Sequence, residues 1–310
     1  MSEPEESIFP PLPWRSILVH GFLVIGLGGA ILKMISLGDD HSLSLDRPEL
    51  LLPILLLEVL QVVWSALLWR RALQTMIPHP LDHRLALAHV GILLVAKYIP
   101  GKLWGLVGRG LHARRLGWTP AAVTTATALE QLAILLSGLL LAVAGPFQGH
   151  LAWLLPLLVV TGFVLCPVLR KGMVHPKPWA RGPLKKGFLL VEQGSGHLCS
   201  WRFFGLSLFA LGQWFLSGLL LLAIAMATGV PLSSTLVITA LTATPAAILA
   251  GFFVLFVPGG IGIREGVLVY CLEPVVGMDA ALAIVILFRI LDVLRDILMG
   301  FWTGWVLKRG

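Results

Sequence analysis

LFVPGGIGIREG, residues 255–266, breaks a hydrophobic run with a Pro-Gly pair and sets Arg264 and Glu265 a few residues beyond it. AKYIPGKLWGLVGR, residues 96–109, does the same earlier in the chain, with Lys97 ahead of Pro100-Gly101 and Arg109 behind. Each stretch sits in sequence that is otherwise apolar enough for lipid, yet each is basic and glycine-rich. The fold depends on whether these stretches connect ordinary crossings or turn the chain back inside the membrane.

Composition supplies the setting. Of 310 residues, 57% are hydrophobic and 13% charged, with a mean hydropathy of +0.90. A soluble domain carries about 25% charged residues, so water is not the main solvent of this chain. Several windows approach the roughly 20 apolar residues that cross a bilayer, which makes this an all-α polytopic membrane protein. The net charge of +7 comes from Lys and Arg gathered between apolar runs, as in cytoplasmic loops facing anionic headgroups; nucleic acid is not the expected partner. Cys166, Cys199 and Cys271 show no metal or redox spacing. Residues 1–14 are acidic and proline-rich, without the basic start of a signal peptide, and are expected to form a cytoplasmic tail.

Working outward, apolar runs fall near 16–37, 50–69, 85–99, 119–145, 150–169, 203–227, 234–257 and 278–307. The 85–99 run is short: at 1.5 Å per residue it reaches about 22 Å, against a hydrocarbon core of about 30 Å. Arg70, Arg71 and Arg84, the basic stretch 170–202 and Lys308-Arg309 mark cytoplasmic loops, and acidic 38–49 an outer one. Residues 84 and 117 then lie on the same side, and residues 233 and 277 together on the other. Each Pro-Gly pair is therefore expected within a re-entrant hairpin, and the two hairpins enter from opposite faces.

A repeat agrees with this parity. QVVWSALL (61–68) resembles QWFLSGLL (213–220), aligning Gln61 with Gln213 and Ser65 with Ser217. After each hairpin come a Gly-x-x-x-Ala start, at Gly117 and Gly277, and a run with Glu130 or Arg289 inside it. The expected architecture is two inverted repeats, 15–147 and 148–310, with about six full transmembrane helices plus the two hairpins; broken segments between inverted repeats are a transporter plan.

Ionisable groups within apolar runs cost about 2.5–3.5 kcal/mol each on insertion scales, so they face a cavity or a partner. They are Glu58, Lys97, Glu130, the Arg289–Asp292 pair with Asp296, and Arg264 with Glu265. One reading has them lock helices together as internal ion pairs. The other, favoured for Arg109 and Arg264, has arginines beside glycine-rich turns bind an anion, since free backbone N–H groups and a guanidinium suit phosphate. The exposed Arg114-Arg115 pair reads as a headgroup-level anchor. Enzyme signals are thin: there is no nucleophile elbow, no metal-ligand spacing and no Walker loop. No cofactor or metal is expected, and any transport is passive or ion-coupled.

KYIPGKLWGLVGR, GWTPAAVTTATALEQL, FVPGGIGIREGVLVYCL and GMDAALAIVILFRILD resemble the membrane domain of lysylphosphatidylglycerol synthases, a family that includes stand-alone flippase-like proteins. The resemblance runs from about residue 15 onward, and Pro-Gly-Gly-x-Gly-x-Arg-Glu is its most specific piece. It implies a lipid translocase of the bacterial inner membrane with both termini cytoplasmic. The substrate implied is an aminoacylated phospholipid or a polyisoprenoid-phosphate-linked glycolipid. The synthase domain of the bifunctional members is missing from this sequence, so aminoacyl transfer is not implied. By position, the substrate-binding residues are Lys97, Pro100, Gly101, Arg109, Glu130, Pro258, Gly259, Gly260, Gly262, Arg264, Glu265 and Arg289. Gln131 stands where the family often has an arginine beside the glutamate. Membrane lipids, a second copy of the chain and a lipid-synthesis enzyme are the candidate partners. The alternatives are an integral-membrane transferase using a lipid-phosphate-linked donor, with Glu130 or Glu265 as base, and a non-transporting accessory subunit.

Overall fold

The computed structural model describes residues 46–77, 81–98, 104–144, 201–254 and 260–309. Among them every regular element is helical: a 3-10 turn at Pro48–Leu50, then α1 (Leu51–Gln74), α2 (His83–Ala96), α3 (Trp104–Arg115), α4 (Pro120–Ala144), α5 (Trp201–Ala227), α6 (Ser234–Phe253), α7 (Ile263–Val276) and α8 (Met278–Arg309). Local chemistry sets several boundaries. Asp82 caps α2 by accepting from the Arg84 N–H at 3.1 Å, and Ser233 caps α6 by accepting from Leu236 N–H at 3.1 Å. Pro120 occupies the first position of α4, where its missing N–H costs nothing.

Length separates two kinds of helix. The Pro48–Gln74 segment, α4, α5 and α6 are each long and apolar enough to cross a membrane. α8 is longer still at 32 residues, but Arg289, Asp292, Arg295 and Asp296 stand in its middle. α2 and α7 have 14 residues each and α3 has 12, so each spans about 18–21 Å, short of a 30 Å core. The expected crossings at 16–37 and 150–169, the tail at 1–14, the boundary at 147/148 and the four turn residues Pro100, Gly101, Pro258 and Gly259 lie outside the described residues.

Among the described residues the helices pack around two large apolar centres, with a smaller one of Ala88, Ile92, Val306 and Leu307 between α2 and the end of α8. One joins the second half of α1 (Leu68, Trp69, Leu73) to α2, α4 and the start of α5. The other joins the end of α5 (Leu220, Leu221, Ile224) to α6, α7 and the start of α8. α1 and α5 lie against each other between the two, while α2 packs on α8 and α4 on α6. In lipid the apolar effect does not draw helices together, so close approach and interhelical hydrogen bonds must. Glycines allow that approach: a Cβ on Gly138 of α4 would stand 2.6 Å from the Trp214 ring of α5, and Gly212 of α5 leaves matching room for Trp64 of α1. Both indoles are also satisfied, Trp64 donating to the Phe209 carbonyl at 2.9 Å and Trp214 to Ser137 Oγ at 3.0 Å. The outer faces stay greasy. Leu52, Leu55, Leu56 and Val59 of α1 and Leu298 and Phe301 of α8 are exposed, a surface suited to acyl chains rather than water.

Candidate functional site

The turn into α7 explains its glycines. Gly260 and Gly262 have φ of +68° and +83°, a region that side-chain-bearing residues avoid. Gly262 leaves its N–H free for Glu265, whose carboxylate accepts it at 2.6 Å and caps the helix. Gly260 and Gly251 of α6 together form the slot for the stem of Arg264. A Cβ on Gly251 would lie 2.6 Å from Arg264 Cγ, and one on Gly260 would lie 2.9 Å from Arg264 Nε and 3.0 Å from Gly251 Cα. The motif therefore seats one arginine where α6 and α7 meet.

Arg264 faces a cavity of about 240 Å³ between α1, α2, α5, α6, α7 and α8, with Ile134 of α4 at its edge. Charged residues line one part of it: Lys97, Arg264, Glu265, Arg289, Asp292 and Arg295. Five of them form one web with two carboxylates behind them, and Arg264 lies at its edge. Lys97 Nζ pairs with Asp292 at 3.2 Å and with buried Asp296 at 2.6 Å; Asp296 also accepts from the Tyr98 hydroxyl at 2.6 Å. Arg295 reaches Glu58 of α1 at 3.0 Å, Asp296 at 3.0 Å and Asp292. Arg289 pairs with Glu265 at 3.1 Å and with Asp292 at 3.4 Å. The web ties α1, α2, α7 and α8 to one another. Arg264 forms no ion pair among the described residues, and its Nε is buried without a hydrogen-bond partner, as are Arg289 Nη2 and Gln61 Nε2.

The rest of the wall is uncharged. Ser65 of α1 donates to Gln213 Oε1 of α5 at 3.0 Å, and Gln61, Ser217 and Thr244 lie beside them with apolar Val62, Leu94, Leu268 and Phe288. Thr244 lies one residue before Pro245, which removes an N–H from the interior of α6. Thr244 Oγ1 donates back to the Ala240 carbonyl at 3.2 Å.

Arg109 and Glu130 do not line this cavity. They form a separate pair at 2.5 Å, with Arg109 fully buried and Glu130 3% exposed. Arg109 lies 3.9 Å over the Trp69 ring and donates from Nε to the His89 carbonyl at 3.1 Å. Trp69 donates to His89 Nδ1 at 3.2 Å. An indole can only donate, so the His89 proton sits on Nε2, which gives it to His112 Nδ1 at 2.8 Å. This knot joins α1, α2, α3 and α4.

The structure thus brings together Lys97, Arg264, Glu265 and Arg289 from the expected set, with Gly260 and Gly262 as their support. It holds Arg109 and Glu130 apart from them, and it gives Glu130 the counter-charge that Gln131 does not supply. Lys97 and Arg289 are engaged by carboxylates, the locking role, whereas Arg264 is not. Sequence reasoning missed Arg295 and the Ser65–Gln213 contact as parts of the wall, and Tyr98 as the partner of Asp296 behind it. Arg295 lies three residues after Asp292 and six after Arg289, so helical spacing alone places it near their face; the tyrosine, which has no charge, gives no such signal. Among the described residues no group of three or more His, Cys, Asp and Glu is placed to hold a metal ion.

Comparison with known families gives one finding. The family described as "Lysylphosphatidylglycerol synthase TM region" matches residues 40–300, and the chain belongs to it. That stretch includes both large apolar centres, the charged web and the buried Arg109–Glu130 knot, so the chain is a multi-pass membrane protein of this family. No curated protein and no solved structure matches it.

Proposed function

We propose that this member of the lysylphosphatidylglycerol synthase membrane-region family is a lipid translocase of the bacterial inner membrane, moving a phosphate-bearing lipid between leaflets. The observation that carries the reading is Arg264, a half-buried arginine whose Nε is buried without a hydrogen-bond partner and which forms no ion pair among the described residues, facing a charged cavity inside an otherwise apolar helical chain. Ionisable groups at such positions mark substrate pathways. A guanidinium held by glycines binds a phosphate oxygen, the uncharged wall accommodates the headgroup, and the tails stay against the greasy outer faces.

The two halves are read as inverted repeats, with α2–α3 and α6–α7 as oppositely entering hairpins and both termini cytoplasmic. Packing supports this. If α1 to α4 correspond in order to α5 to α8, the α2–α8 contact is the counterpart of the α4–α6 contact, and α1–α5 lies on the axis. The short lengths of α2, α3 and α7 point the same way. Rocking of one repeat against the other then alternates access to the cavity.

Purified protein in liposomes containing headgroup-labelled phospholipids tests the proposal. Label in the inner leaflet is expected to become accessible to an impermeant quencher at a rate that Arg264→Ala abolishes. Conversion of the lipid to a new product without leaflet exchange would replace the proposal with a transferase. Neither exchange nor product would leave the accessory role.

A further inference from the structure

We infer that the cavity selects a lipid whose headgroup carries its charge only on phosphate, with uncharged hydroxyls beyond it, and rejects one bearing an ammonium group. The inference rests on the lipid-handling reading of the same cavity and deepens it by naming the substrate class.

The charges on the wall carry the argument. Four lining residues are cations (Lys97, Arg264, Arg289 and Arg295) and two are carboxylates (Glu265 and Asp292), a net of two positive charges. The remaining two carboxylates of the web, Glu58 and Asp296, lie behind this wall and are held by Arg295, with Lys97 also on Asp296. Every carboxylate of the web therefore already touches a cation. Arg264 is the cation of the wall without such a contact among the described residues. An incoming phosphate meets unmatched positive charge and three buried donors lacking partners: Arg264 Nε, Arg289 Nη2 and Gln61 Nε2. An incoming ammonium meets four cations on the wall, while the carboxylate oxygen of the web left without a partner, Glu58 Oε1, lies behind that wall, and like charges brought together in such a site repel.

The uncharged wall defines what lies beyond the phosphate. Ser65, Gln213, Ser217 and Thr244 offer hydroxyls and amides, not charge, and Ser65 already occupies Gln213 Oε1, leaving the amide N–H groups of Gln213 for a ligand hydroxyl. At about 240 Å³ the cavity holds about eight waters' worth of liquid volume, enough for a small headgroup and not for two acyl chains. The shared chemistry is a phosphodiester with a hydroxylated headgroup, and its source is a lipid because the surrounding helices present apolar faces outward.

Equilibrium binding to the full chain in detergent tests this, using short-chain phosphatidylglycerol, its lysyl ester, and glycerophosphoglycerol, which has the same headgroup without acyl chains. Phosphatidylglycerol is expected to bind about tenfold or more tighter than the lysyl ester, with Arg264→Gln removing the preference. Gln213→Glu, which puts a carboxylate on the wall without changing side-chain size, is expected to shift the preference toward the lysyl ester and keeps the test open if the arginine variant does not fold. Equal or tighter binding of the lysyl ester to the unaltered chain, no binding of either, or a preference unmoved by Gln213→Glu would each overturn the inference. Glycerophosphoglycerol binding as tightly as the lipid would overturn the lipid source in favour of a soluble phosphodiester. Selective phosphatidylglycerol binding without leaflet exchange in liposomes would remove the translocase reading and leave the selectivity standing.

Discussion

The chain carries two ion pairs, each between a short helix and the long helix after it, and their surroundings differ. In the first, Arg109 of α3 meets Glu130 of α4; in the second, Glu265 of α7 meets Arg289 of α8. Each joins the second, short helix of a Pro-Gly segment to the long helix after it, with the signs reversed. The Arg109–Glu130 pair is sealed beneath Trp69 and a histidine chain, at 0% and 3% exposure, whereas Glu265 and Arg289 keep 26% and 12% and border a cavity. A buried pair gains little over an apolar replacement but is costly to break; a pair at a cavity wall tunes the field that a ligand meets. Burial, not residue type, decides which role a motif arginine takes.

The largest effect is expected at the sealed pair. Glu130→Ala leaves Arg109 buried without its counter-charge and should cost about 3–5 kcal/mol, seen as a lower melting temperature in detergent by size-exclusion chromatography after heating. Arg109→Met combined with Glu130→Leu should recover most of that loss; if the double variant is as unstable as the single one, the pair has a role other than locking helices. Next comes Gly260→Ala, which forces a positive φ and pushes on Arg264, at about 1–3 kcal/mol. Its melting temperature should fall together with phosphatidylglycerol affinity, and loss of one without the other would separate the turn from the arginine it seats. Ser65→Ala removes the bond to Gln213 between α1 and α5 and should cost about 0.5–1.5 kcal/mol, read as a small fall in melting temperature in detergent. The finest contrast is a charge change on each side. Glu265→Gln keeps an acceptor for the Gly262 N–H while making the wall more positive, and should tighten phosphatidylglycerol binding about threefold. Glu130→Gln should not change that affinity, and equal effects from the two substitutions would erase the distinction between the regions.

Much of this arrangement could be read from residue order. Apolar run lengths place α1, α4, α5 and α6, and the shortness of the 85–99 run anticipates the 14-residue length of α2. The Pro-Gly-Gly-x-Gly-x-Arg-Glu motif leads to Arg264 and Glu265, which line the cavity beside the turn, because positive φ and close approach are demands only glycine meets. What sequence could not divide is the set of arginines. Arg109 and Arg264 both follow a glycine-rich turn, and nothing local tells which one a tryptophan from α1 will cover. That difference depends on α1, α2 and α4 closing over one arginine while a cavity remains beside the other. Tyr98 and the Ser65–Gln213 bond escaped for a related reason: uncharged polar side chains in or beside apolar helices acquire meaning only from the neighbour across the interface, here some 148 residues away for Ser65.

The slot formed by Gly251 and Gly260 has a mechanical consequence. With the Arg264 stem lodged between them, α6 and α7 cannot slide past each other without first extracting the side chain, so the arginine works as a dowel through the joint. The two helices are thereby pinned into one stiff unit that carries its charge at the joint. The seam between α1 and α5 is held differently, by the Ser65–Gln213 bond, the Trp64 N–H on the Phe209 carbonyl and the Trp64 ring seated against Gly212, with no side chain threaded between glycines of both helices.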